Sequence, residues 1–308
     1  MTELSNVSPS EAGVLLRRAS RASVATAMIL VFAKLGAWLA TGAASLLATL
    51  IDSLLDTLAS LTNLLALHYA LQPADREHRF GHGKLESLAG LAQALFIGGS
   101  GMFLISEALN RLFHPRPLTN TGIGIMVMVF AMIATYLLLR FQHRVIRVTS
   151  STAIRADSLH YGTDLLTNGA VLVALAYERL FDWEYLDPIL ALGIAIYVLY
   201  SAGQIAWEAG QLLMDRELPE LERELIVRLA REHPEVRGVS ELKTRRAGTT
   251  VFIQFQLEIC GSISLEKAHH VTEEVESKIN AHFPNAEIHI HQEPKEPIIN
   301  ITTKAGNL

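Results

Sequence analysis

A single cysteine, Cys260, in 308 residues leaves no partner for an internal disulfide and excludes a cysteine-rich zinc site. It closes a strand-like run, where it reads as a buried thiol. Charge is scarce as well: Asp, Glu, Lys and Arg make up 19% of the chain, 50% is hydrophobic, and the mean hydropathy is +0.28. That balance is too apolar for an ordinary soluble protein. The 26 basic residues are outnumbered by 31 acidic ones, so no broad basic face is available to neutralise nucleic-acid phosphates. The start of the chain is polar and then basic, without the apolar core or small-residue cleavage site of a signal peptide.

The apolar residues are concentrated in long runs. Segments 22–41, 47–71, 88–112, 121–141 and 185–213 each suffice for a membrane span of about 20 residues. A sixth segment, 151–180, is apolar only in its second half, because Arg155, Asp157, His160 and Asp164 occupy the first. Six spans put both ends of the chain on one side. Arg17, Arg18 and Arg21 precede the first span. Arg76, Arg79 and Lys84 follow the second, and Arg140, Arg144 and Arg147 follow the fourth, which predicts cytoplasmic termini.

Beyond Met214 the pattern becomes that of a soluble domain. A helix is predicted over 219–233, strands over 239–244 and 250–259 around a turn at Ala247-Gly248, a helix over 264–283, and a strand over 286–291. The expected fold is therefore an α-helical membrane protein, with six transmembrane helices in 1–214. A small cytosolic α+β domain of order α-β-β-α-β follows in 215–308, its helices on one face of the sheet.

Ionisable residues within a span need partners or a purpose. Asp52 and Asp56 are four apart, so one helix face carries both, continued by Ser60 and Asn63. His160 and Asp164 repeat that spacing in the fifth span. Two carboxylates on one face repel, no basic residue of that span neutralises them, and a divalent cation would. If the two helices face each other, Asp52, Asp56, His160 and Asp164 offer three carboxylates and an imidazole, a tetrahedral set suited to Zn²⁺. Asp157, beside Arg155, reads as an interfacial charge or one on the approach path. Lys34 either snorkels or pairs with a carboxylate. Asp75, His78 and His82 in the loop after the second span are spaced to close on a second metal, with incidental loop histidines as the plainer alternative.

Three stretches together, Leu50-Ile51-Asp52-Ser53-Leu54-Leu55-Asp56, Asp75 through Lys84, and Leu159-His160-Tyr161-Gly162-Thr163-Asp164, resemble the cation diffusion facilitator family, and in it the bacterial ferrous-iron/zinc efflux branch. The resemblance implies a homodimer in the bacterial inner membrane that exchanges Zn²⁺, or Cd²⁺ or Fe²⁺, for protons by alternating access. It implies that Asp52, Asp56, His160 and Asp164 are the transport site and that Asp75, His78 and His82 hold a second metal. It also implies a charge interlock between Lys84 and Asp215. In the cytosolic domain it places ligands at His269, His291 and Glu293, whereas Ser240 and Gln256 stand where histidine is usual. That predicts one weakened site, or a domain that serves mainly to dimerise, with Zn²⁺ as cargo and structural ion and no organic cofactor. His270 and His289 lie off the ligand positions, and alternation is expected to turn them away from their neighbours. A membrane metal sensor and a membrane-embedded metalloenzyme are the competing functions. Against the enzyme, four protein ligands leave no open coordination position.

Overall fold

The computed structural model describes residues 9–42, 44–113, 122–181 and 185–296, in two compact units divided between Met214 and Asp215. The first unit is six long helices: α1 (Pro9–Thr41), α2 (Ala44–Ala70), α3 (Lys84–Phe113), α4 (Gly122–Thr149), α5 (Thr152–Phe181) and α6 (Leu186–Leu213). At 1.5 Å per residue each can cross a hydrocarbon core of about 30 Å. Among the described residues five of them also contain an apolar stretch long enough to cross; α5 is set apart by its polar first half.

Two helices outrun the apolar segments that predict them. α1 begins at Pro9 and α4 continues to Thr149, because hydropathy marks the part that meets lipid while the backbone ladder continues beyond it. Arg17, Arg18, Arg21, Arg144 and Arg147 lie on those extensions. Large apolar side chains such as Phe32, Leu95, Phe103, Met126 and Leu137 stay exposed, which suits a lipid-facing exterior. Between helices, small residues permit close approach. A Cβ at Gly90 would lie 3.3 Å from the backbone of Thr152, so α3 and the start of α5 touch almost main chain to main chain.

The second unit is α7 (Glu220–Arg231), β1 (Val236–Ala247), β2 (Thr250–Cys260), α8 (Leu265–His282) and β3 (Ala286–Lys295). Its sheet has the order β1-β2-β3, with β1 antiparallel and β3 parallel to the central β2. Alternation along β2 sends Val251, Ile253, Phe255, Leu257 and Ile259 to one face. There they pack with Ile226 and Leu229 of α7 and Val271, Val275 and Ile279 of α8. The turn after β1 uses Gly248 at φ 59°, and Ser264 caps α8 by accepting the Lys267 amide at 3.2 Å. β1 and β3 are longer than predicted, because their ends carry charged residues that still pair along the ladder. Cys260 is half-exposed at the end of β2, not buried, since its side chain falls on the sheet face opposite the core.

Candidate metal centre

Asp56 on α2 and His160 and Asp164 on α5 meet inside the helical unit. Their ligand atoms all lie within 4.8 Å of one another. His160 Nε2 is 3.0 Å from Asp56 Oδ1, and the imidazole is nearly buried. The ring is flanked edge-on by Phe96, at 6.1 Å between centroids, and by Tyr161, at 5.6 Å. The Tyr161 hydroxyl donates to Ser23 O at 3.1 Å and takes a hydrogen bond from Ser60 Oγ at 2.8 Å, which ties α5 to α1 and α2 beside the cluster. Asp52, one turn earlier on α2, is exposed and does not join the three. Repulsion between like carboxylates on one helix face favours that separation. Asn63 continues the α2 face, buried, and neither end of its amide has a hydrogen-bond partner among the described residues.

Lys34 of α1 reaches across to α2. Its ammonium donates to Thr49 O at 3.1 Å and to Ser53 Oγ at 2.6 Å, within electrostatic reach of Asp52, Asp56 and Asp164. The cation that α2 lacks is therefore supplied by its neighbour, a relation that spacing within one span does not reveal. Asp157 also departs from expectation. It is fully buried, not interfacial, and accepts hydrogen bonds from Ser23, Gln93 and Gln142. Arg155 turns instead to Glu208 of α6, at 2.5 Å.

The loop residues Asp75, His78 and His82 form the second convergent group, again with ligand atoms within 4.8 Å of one another. Asp75 Oδ1 accepts the amides of Glu77 at 2.9 Å and His78 at 2.6 Å, an Asx-type turn that pre-orders the loop. These amides, His78's foremost, hold the Asp75 carboxyl below the usual carboxylate range. Its two oxygens lie 3.4 Å from His78 Nδ1 and 3.3 Å from His82 Nε2. Gly81, at φ 76°, turns the chain so that His82 can face back.

Residues 20–214 match the family described as the cation efflux transmembrane domain, and 218–295 match the cation efflux protein, cytoplasmic domain. Over 282 residues the chain is 48% identical to the cation-efflux pump FieF of Salmonella arizonae, spanning 92% of this chain and 94% of that one. The FieF of Salmonella choleraesuis gives the same figures. The chain belongs to the cation efflux family. A solved structure of CzrB in a zinc form is 36% identical, with a TM-score of 0.25, and covers 26% of this chain and 93% of that one. As a family member the protein is a multi-pass membrane transporter that exports metal cations.

Within that family, the cytosolic positions are less convergent. His291 and Glu293 share the exposed face of β3, 3.8 Å apart at their closest polar atoms. His269 is exposed on α8, which packs against the opposite face of the sheet, so one subunit does not bring the three together. Ser240, Gln256 and His291 lie in register across the three strands, with Ser240 Oγ 3.4 Å from Gln256 Oε1. His289 is not turned away from His291. Residues two apart on a strand share a face, and the two imidazoles line one groove with Gln254 and Gln256. His270 lies 3.0 Å from Glu274, which also reaches the nearly buried His233. Lys84 Nζ donates to Leu213 O at 3.3 Å, and Asp215 takes a bond from Arg245 at the same distance.

Proposed function

We propose that the protein is a proton-coupled exporter of divalent transition metals, with Zn²⁺ preferred over Cd²⁺ and Fe²⁺. In this reading the cargo binds at Asp52, Asp56, His160 and Asp164 during alternating access. The observation that carries the reading is the meeting of Asp56, His160 and Asp164 inside the helical unit, where isolated charges are costly. An imidazole with carboxylates suits a borderline ion better than a hard one such as Mg²⁺. Asp52, on the same α2 face, completes the shell when cargo draws the like charges together.

Proton coupling follows from ligands that serve two ions. His160 Nε2 faces Asp56 across 3.0 Å, so metal can reach that nitrogen only by displacing the shared hydrogen bond and its proton. Protons arriving from the outside reverse the exchange and return inward on the same groups. The Asp75, His78 and His82 loop holds a second ion, and the cytosolic domain a weakened one through His291 and Glu293 with His269 of a second copy. A homodimer in a bacterial inner membrane, both termini cytoplasmic, accommodates these parts. Zn²⁺ flux into proteoliposomes, measured with and without a pH gradient, tests the proposal: flux should rise with the gradient and collapse when it is dissipated. Zinc flux indifferent to the gradient would remove the proton from the mechanism.

A further inference from the structure

One buried ionisable side chain has no task in the exchange just described. Asp157 of α5 has no solvent exposure and lies three residues before His160, on nearly the same helix face and about 4.5 Å along the axis. Three neutral donors from three other helices converge on its carboxylate. Oδ2 accepts from Ser23 Oγ of α1 at 2.5 Å and from Gln142 Nε2 of α4 at 2.7 Å; Oδ1 accepts from Gln93 Nε2 of α3 at 3.1 Å. Gln142 Nε2 also lies 3.0 Å from Ser23 Oγ, so the donors are themselves linked. Gln142 and Ser23 are as buried as Asp157, and Gln93 nearly so.

A carboxylate fits this place for a definite reason. It accepts on both oxygens and donates nothing, which suits three inward-pointing donors. An asparagine would keep the shape but set its own N–H₂ against at least one of them. On the far side of His160, Tyr161 bonds to Ser23 O and Ser60. His160 is thus bracketed by two anchors on its own helix, and a 100° rotation of α5 would break both.

We propose that Asp157 is a positioning residue for transport: by gathering α1, α3 and α4 onto α5, it fixes the rotation of that helix so that His160 and Asp164 face Asp56. The inference rests on the metal reading of those three residues. Displacement of a bound group by about 1 Å costs up to about a hundredfold in well-oriented sites, and the loosened clamp is expected to act mainly on cargo binding.

The test is Zn²⁺ flux against zinc concentration for the full-length protein in proteoliposomes. Asp157→Asn should raise KM about tenfold while kcat stays within about threefold, since the ligands are intact but misplaced. The double variant Asp157→Asn with Gln142→Glu moves the carboxylate to α4 and the amide to α5. Every donor then keeps an acceptor, and KM should return to within about threefold of wild type. Wild-type KM in the single variant, or no recovery in the double one, overturns the proposal. If the single variant fails to accumulate in the membrane, the double variant decides alone by the same criterion. His160→Ala separates the two readings. Lost flux in His160→Ala with an unchanged KM in Asp157→Asn sinks the clamp only; normal flux in His160→Ala sinks the transport site on which it rests.

Discussion

At His160 the nitrogen that meets Asp56 at 3.0 Å is also the one aimed at the cluster, so metal choice should depend on that imidazole. Replacing His160 by Asp leaves an all-oxygen set, harder in character, and the preference for Zn²⁺ over Mn²⁺ should fall by about tenfold in competition flux assays. An unchanged ranking would take His160 out of the coordination shell. Asp164→Ala should reduce flux to below about a tenth of wild type while the protein remains folded, because the shell loses charge as well as a ligand. Lys34 is expected to act in the opposite sense. Its ammonium competes with cargo for the same carboxylates, so Lys34→Met should tighten zinc binding about fivefold and slow release; looser binding would show that it supports the site instead. The acidic and histidine members of the cluster were legible because a spacing of four on a helix is visible in the chain itself. For Lys34 the sequence left two readings open, and Gln93 and Gln142 gave no sign at all, because the rotational register of one helix against another leaves no periodic trace.

Among elements, the α2–α3 loop and the central strands make separable predictions. Asp75→Ala should remove one bound zinc per subunit by calorimetry, since the carboxylate both orders the turn and stands beside each imidazole. The pH dependence has a definite sign. The Asp75 carboxyl titrates below the usual carboxylate range, so its contribution to loop order is complete above that range and is lost only as pH falls through the lower folded value. An NMR titration with an Asp75 inflection at or above about 3.9 would contradict the Asx-turn account. In the sheet, Ser240, Gln256 and His291 form one cross-strand row. Histidine at both 240 and 256 should raise zinc stoichiometry and affinity together, and a gain in neither would mean that this row does not bind metal. Strand identities are readable from alternation, and the same period of two puts His289 and His291 on one face, against the expectation that His289 turns away.

For the whole molecule, the division near Met214 and five of the long helices follow from hydropathy alone, while α5 had to be inferred from its apolar second half. The reason is physical: α5 carries Arg155, Asp157, His160 and Asp164 in its first half, and so spends part of its length on polar groups. The lone cysteine has a practical consequence of a different kind. Cys260 is half-exposed, and the Ser262 hydroxyl beside its sulfur, at 3.1 Å, pulls the thiol below its ordinary pKa. A larger share is thiolate at neutral pH, so the site should alkylate readily. The unmodified protein therefore carries its own sidedness probe: a membrane-impermeant maleimide should leave intact cells unlabelled and tag inside-out vesicles at one site per chain. Labelling in intact cells would turn the proposed orientation over, and no engineered residue would be needed to find out.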